Sequence, residues 1–139
     1  MNNVLTNDII ADFISRIQHA YKNNKIIVHI PYKELYVKII EIFYKEGFIR
    51  GYKYINDTNN KIIYIVILLK YKNGISAISN IKQFSKKNNR IYFSYKNIKT
   101  KYFDNSNYII YIFSTVKGIL THFDCIKLNI GGELICKII

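Results

Sequence analysis

The segment Ser114-Thr115-Val116-Lys117-Gly118 sets two hydroxyls, an ammonium and a glycine on five consecutive residues, directly after an apolar run that reads as a strand. A glycine on a tight turn lets backbone and hydroxyls approach a ribose–phosphate edge closely, and the ammonium can neutralise a phosphate. By spacing alone the same residues also make an ordinary strand-end turn. Other candidates for chemistry are sparser. Asp8 and Asp12 stand four apart on one helical face, a spacing paired carboxylates could use, but a place at a helix N-terminus already accounts for them electrostatically. His122 and Cys125, three apart on a short helix, would need an orienting group and an oxyanion site that nothing marks. Cys125 and Cys136 suit neither a disulfide framework nor a zinc knuckle and read as buried small hydrophobes in a reducing compartment. His19 and His29 are isolated, and Gly131-Gly132 reads as a tight turn feeding the last strand rather than part of a phosphate-cradling motif. The expectation is a chain that is not an enzyme, with no metal, no cofactor and no small-molecule substrate.

Charge points instead to a polyanion. The 139 residues carry a net charge of +12 and are 50% hydrophobic, enough to bury a core in one compact domain or two small modules. From Thr58 to Phe103 there is no Asp or Glu, yet Lys61, Lys70, Lys72, Lys82, Lys86, Lys87, Arg90, Lys96, Lys99 and Lys101 all fall there. Tyr71, Phe84, Tyr92, Phe93, Tyr95, Tyr102 and Phe103 are interleaved with them. Cations satisfy phosphates and aromatic faces stack on unpaired bases; a solvated face over core aromatics would normally mix both charge signs. A membrane role is not expected. The longest apolar run, Ile62 to Leu69, falls far short of the roughly 20 residues that span a bilayer. Neither a secretory signal nor a transit peptide is visible at the N-terminus. The abundance of Ile, Lys, Asn, Tyr and Phe, with three Arg among 21 basic residues and no Trp, is the codon imprint of a very AT-rich gene. It suggests synthesis in an AT-rich organelle or a reduced bacterium.

The elements that must position these groups follow from periodicity. Asn7 to Tyr21 reads as a helix with Ile9, Ile10, Phe13, Ile14, Ile17, Ala20 and Tyr21 on one face, capped by Thr6 or Asn7, with Asp8 at its positive end. A strand at Lys25 to Ile30 follows, ended by Pro31, and then a helix from Tyr32 to Glu46 burying Leu35, Ile39, Ile42 and Phe43. Strands at Phe48 to Asn56 and Lys61 to Tyr71 flank the turn Asp57-Thr58-Asn59-Asn60. Around Asn73-Gly74 the texture changes to strands at Ile75 to Phe84, Arg90 to Tyr95, Tyr108 to Ser114 and Leu134 to Ile138. One short helix, Thr121 to Leu128, interrupts them, with Thr121 as N-cap and Asn129 in the left-handed position at its end. The predicted fold class is α/β in the α+β sense, in two small modules. Residues 1–72 form an α-β-α-β-β module; residues 73–139 form a mostly antiparallel β, RNA-binding module with one short helix.

Phe113-Ser114-Thr115-Val116-Lys117-Gly118-Ile119-Leu120-Thr121, followed by Ile130-Gly131-Gly132-Glu133-Leu134-Ile135-Cys136, resembles the signature end of the ribosomal protein S-eight family of the small subunit. The blocks Asp8 to Ile17, Lys45-Glu46-Gly47-Phe48-Ile49 and Arg90-Ile91-Tyr92 are similar to that family in the same order, and together they cover nearly the whole chain. The resemblance implies a two-domain α/β protein that binds a helical junction in the central domain of small-subunit rRNA, aids assembly there and meets neighbouring small-subunit proteins. Carried over by position, it implies that Ser114, Thr115, Lys117 and Gly118 form the main RNA-contacting loop. It further implies that Glu133 positions the loop or accepts from a base or ribose donor, that Tyr92, with Arg90 and Lys86, lies beside the RNA, and that Arg16 touches a second rRNA segment.

Some positions depart from the family pattern. Val116 stands where a second serine is common, Lys87-Asn88 replaces a proline and glycine, Tyr32-Lys33-Glu34 replaces Ser-Ser-Lys after Pro31, and His122 stands where Asp is commoner. Blocks close to the bacterial pattern with drifted composition point to a ribosome of plastid or apicoplast type, the alternatives being a mitochondrion or an AT-rich bacterium. The competing functions are an RNA-binding translational repressor acting on messenger RNA and, more distantly, a hydrolase or transferase using Cys125 and His122.

Overall fold

The computed structural model describes residues 2–86, 88–102 and 109–139, the side chains of residues 2–8 and Tyr102 excepted. The chain forms two compact units, one of Ile10–Ser79 and one of Asn80–Ile139 with the opening residues through Ile9.

In the first unit, helix α1 (Asn2–Lys22) from Ile10 onward and helix α2 (Glu34–Lys45) accompany a three-stranded antiparallel sheet of β1 (Ile27–Pro31), β2 (Ile49–Asn56) and β3 (Ile62–Leu69), in the order β1-β3-β2. The continuous apolar run Ile62–Leu69 takes the central position, and Pro31, which lacks a ladder donor, closes an edge strand. Ile10, Phe13, Ile14, Ile17, Ala20 and Tyr21 of α1 are buried, as their spacing predicts. No proline or glycine stops α1 from beginning at Asn2, so Thr6 and Asn7 lie within it rather than capping it, and Asp8 falls outside the first turn. On α2 the core face is wider than expected, adding Tyr36 and Ile40, while Leu35 is only half-buried. The Asp57 turn forms as predicted, with Asp57 Oδ1 accepting from the backbone N–H groups of Asn59 (2.8 Å) and Lys61 (2.9 Å).

The sequence from Ile75 to Phe84, read above as one strand, is two. A hairpin of β4 (Tyr71–Lys72) and β5 (Ile75–Ser76) turns at Asn73-Gly74, and β6 (Ile81–Gln83) belongs to the second unit's sheet. That sheet is centred on β10 (Gly132–Ile138). β10 pairs with β8 (Ile110–Thr115) on one side, and on the other with β6 near its end and β7 (Tyr92–Phe93) near its start. Strand β9 (Gly118–Thr121) extends the sheet beyond β8. Helix α4 (His122–Leu128) begins as expected, the Thr121 hydroxyl accepting from the Asp124 N–H at 3.3 Å, and it ends with Asn129 in the left-handed region. A further helix, α3 (Tyr95–Tyr102), occupies sequence that carried no expected element beyond Tyr95. The second core gathers Ile98, Phe113, Cys125 and Leu134. The mixed α and β class with a strand-rich C-terminal part stands. The start of the predicted strand at Tyr108, together with Lys87 and Phe103, lies outside the described residues, as do the side chains of Thr6, Asn7, Asp8 and Tyr102.

Candidate nucleic-acid interface

Strands β8 and β9 are adjacent in sequence and joined by Thr115-Val116-Lys117-Gly118, with Thr115 paired to Gly118. The Thr115 side chain locks this turn from both ends. Its Oγ1 accepts from the Lys117 backbone N–H at 3.1 Å and donates to the Gly118 carbonyl at 2.9 Å. Gly118 has φ +106°, a conformation that side chains rarely adopt, which is why the fifth residue of the motif is glycine. The lock leaves the Lys117 side chain exposed and Val116 94% exposed at the tip. An isopropyl group held in water gains nothing from this fold.

Beside the turn, cross-strand register aligns the remaining residues of the motif. Glu133 on β10 pairs with Ser114 on β8 and with Tyr92 on β7. Directly opposed residues project to the same face of a sheet, so Tyr92, Glu133 and Ser114 form one row across three strands. Tyr92 is 64% exposed, and Glu133 and Ser114 are half-buried. Gly132 permits the row: a Cβ there would lie 2.4 Å from the Ser114 carbonyl oxygen and 2.9 Å from Thr115 Cγ2. Gly131 is held equally closely, 2.4 Å from the Phe93 carbonyl oxygen. Among the described residues, Glu133 Oε1 is a buried side-chain oxygen with no hydrogen-bond partner. Leaving such an acceptor unmatched costs of order 1–3 kcal/mol or more, so a donor from outside the chain would relieve it.

Ser85, which opens the middle turn ahead of Lys87-Asn88, supplies a support whose partners the sequence does not show. It is 1% exposed, its hydroxyl donates to the Leu134 carbonyl at 2.6 Å, and it accepts from the Ile91 N–H at 3.0 Å. Between these bonds the chain makes a tight turn, Lys86 and Asn89 exchanging backbone hydrogen bonds of 2.9 and 3.0 Å. Ser85 thereby fastens the segment bearing exposed Lys86 and half-buried Arg90 onto β10, the strand that carries Glu133. Arg16 belongs to the other unit, on the polar face of α1, in a 2.9 Å pair with Asp12.

The interleaved aromatics divide. Tyr92 presents its ring to solvent. Phe84 and Phe93 pack against the second core, Phe93 edge-on to Phe113 with centroids 6.2 Å apart. Tyr71 donates its hydroxyl to the Lys25 carbonyl at 2.6 Å and stands edge-on to Tyr21. Packing and hydrogen bonding within the chain thus engage three of the rings that the stretch offered for base stacking.

The catalytic candidates are chemically quiet. Burial pushes the Cys125 thiol up to about 11 and the Cys136 thiol up to about 12, the reverse of an activated nucleophile. His122 is 3% exposed, with Nδ1 accepting the Tyr111 backbone N–H at 3.2 Å. That bond requires an unprotonated Nδ1, and burial holds the ring's pKa below the usual 6.5. The sign follows. The unfolded chain binds a proton at His122 more readily than the native one, so this contribution is complete above pH 6.5 and is lost as pH falls through the lower native value. Urea midpoints measured by circular dichroism should therefore fall from pH 7.5 to pH 5.5, and His122→Gln should flatten that dependence; equal slopes in the two proteins would refute it. Asp12 is engaged with Arg16, and no group of three or more potential metal ligands occurs among the described residues. No helix among them is long and apolar enough to cross a membrane.

A family profile described as Ribosomal protein S8 matches residues 8–139. Similar curated proteins include the small ribosomal subunit protein uS8 of Mycoplasmopsis pulmonis, 43% identical over 131 residues. Those of Rickettsia massiliae and Rickettsia felis are 37% and 36% identical over 132 residues. Each alignment covers 94% of this chain and 96% of the relative.

Proposed function

Because the chain belongs to the ribosomal protein S8 family, and is on that ground a structural, non-enzymatic component of the small ribosomal subunit, we propose that it binds the central domain of small-subunit rRNA directly and aids its assembly. The observation that carries this reading is the buried Oε1 of Glu133, without a hydrogen-bond partner among the described residues and set between Ser114 and Tyr92 in the strand register. A ribose 2′-hydroxyl or a base amino group supplies the missing donor. Lys117 then meets a phosphate, Ser114 and the Gly118 backbone meet the sugar edge, and Tyr92 lies against the RNA. Thr115 holds the turn with its hydroxyl proton and one lone pair, so its Oγ1 can meet RNA only as an acceptor. Lys86 and Arg90 reach the same RNA from the Ser85-anchored turn.

Residues 73–139 are on this reading the RNA-binding module, and residues 1–72 carry Arg16 to a second rRNA segment. The Arg16–Asp12 pair is about half exposed and worth under about 1 kcal/mol, so the guanidinium can exchange Asp12 for a phosphate. Composition supports a gene on an AT-rich genome; a plastid or apicoplast is the location we favour, with a mitochondrion or a reduced bacterium like those of the relatives as the competing ones. The position of the coding sequence decides between them.

Lys117→Ala tests the site. It should weaken binding to a small-subunit rRNA transcript and reduce the slope of log affinity against log salt by about 1. Unchanged affinity and slope would remove Lys117 from the interface. Sequencing the RNA that co-purifies with the chain checks the wider reading, which fails if messenger RNA predominates over small-subunit rRNA.

A further inference from the structure

Helix α3 is the largest element that periodicity did not anticipate, and it carries three exposed lysines, Lys96, Lys99 and Lys101, on eight residues. We propose that α3 is a second RNA-contacting element, extending the interface from the Tyr92–Glu133–Ser114 row onto the phosphate backbone next to it. The proposal rests on the rRNA-binding reading above and adds to it a helix outside the loop motif.

Placement supports the assignment. Tyr92 and Phe93 form β7, Ser94 follows, and α3 begins at Tyr95, so the helix leaves directly from one end of the row. The Ser94 hydroxyl accepts from the Asn97 N–H at 3.3 Å and its carbonyl from the Ile98 N–H at 3.0 Å, starting the first turn. Close contact fixes this junction, because a Cβ at Gly131 would come within 2.9 Å of Ser94 Cα. Farther along, Ile98 is fully buried with Phe113, Cys125 and Leu134. With Ile98 inward, helical geometry turns Lys96, Asn97, Lys99 and Thr100 outward, and all four are exposed. Lys101 lies over the Phe93 ring, 5.1 Å from its centroid.

The helix is poorly built for its own stability. Lys96 and Lys99 are three apart on one face, where like charges destabilise by a few tenths of a kcal/mol. No carboxylate lies within four residues of either. Tyr, Asn, Ile and Thr are mediocre helix formers, and no acidic residue stands in the first turn. A polyanion along the outward face reverses the electrostatic cost. Protein interfaces are depleted of lysine at their cores, which favours RNA over a protein partner. Phosphate contacts of this kind position an RNA without reading its sequence.

The test is Lys96→Gln/Lys99→Gln in the full chain, titrated between 50 and 200 mM salt against a small-subunit rRNA transcript from one of the bacterial relatives. Helicity by circular dichroism confirms that the double variant is folded. A second double variant, Lys22→Gln/Lys25→Gln, removes two exposed charges from the other unit and serves as control. The expected result is a slope smaller by about 2 for the α3 variant, with a smaller change for the control. Equal slopes in wild type and α3 variant, or equal losses in both variants, overturn the proposal. So does an unchanged slope with reduced incorporation into small subunits, which would mean that α3 meets a protein. Failure of the wild type to prefer this rRNA over an unrelated transcript would instead overturn the parent reading.

Discussion

Gly132→Ala is expected to destabilise the Asn80–Ile139 unit by about 2–3 kcal/mol and to weaken rRNA binding even where the variant remains folded. The new Cβ would sit 2.4 Å from the Ser114 carbonyl oxygen and 2.9 Å from Thr115 Cγ2. The first neighbour is backbone, so no rotamer change makes room, and β10 and β8 must separate where Glu133 opposes Ser114. Gly51→Ala is the natural comparison: it lies on β2 with nothing within 4 Å of the added carbon. Denaturant midpoints for both variants check the claim. A Gly132 variant as stable as the Gly51 variant would show that the close approach is not a constraint.

Ser85→Ala should cost about 2 kcal/mol and also lower RNA affinity. The substitution removes a 1% exposed hydroxyl that serves two backbone groups, leaving the Leu134 carbonyl and the Ile91 N–H without it. The two losses arise from one cause. Ile91 and Leu134 are joined by a second bond, Leu134 N–H to the Ile91 carbonyl at 2.8 Å, so the Lys86–Arg90 segment is registered to β10 through these few contacts. Ser85→Thr keeps the hydroxyl and separates loss of the bonds from loss of the side chain. A Ser85→Ala protein with wild-type midpoint and wild-type affinity would make the serine incidental.

Where hydrophobic spacing or turn and cap chemistry decided the outcome, the fold was legible. The α1 stripe, the Asp57 turn, the Thr121 cap and Asn129 at the end of α4 all stand where their residue types demand. The misses have physical reasons. Ile75 to Phe84 has strand-like composition throughout, and only partner choice, invisible in sequence, splits it between two sheets. Helix α3 overrides weak helix formers by burying Ile98 and using the Ser94 hydroxyl, both tertiary or local decisions that periodicity over eight residues does not expose. Strand β9 was hidden inside the loop motif, since Gly118 to Thr121 is too short to show alternation and its last residue also caps α4.

At the candidate site, resemblance pointed to the loop and Glu133, while two structural details needed coordinates. One is the pairing that makes Glu133 the centre of a row. The other is Ser85, whose hydroxyl joins two backbone groups that the sequence does not show to be close.

The doubly bonded Thr115 hydroxyl has a kinetic consequence. Because two hydrogen bonds through Thr115 Oγ1 already hold the tip of the β8–β9 hairpin, the proposed RNA contact there requires little further backbone ordering. Encounter rates are then governed by long-range attraction between a +12 protein and a polyanion, and differ little among RNA targets. On the rRNA-binding reading proposed above, discrimination falls to residence time, with a cognate RNA held longer than a wrong one.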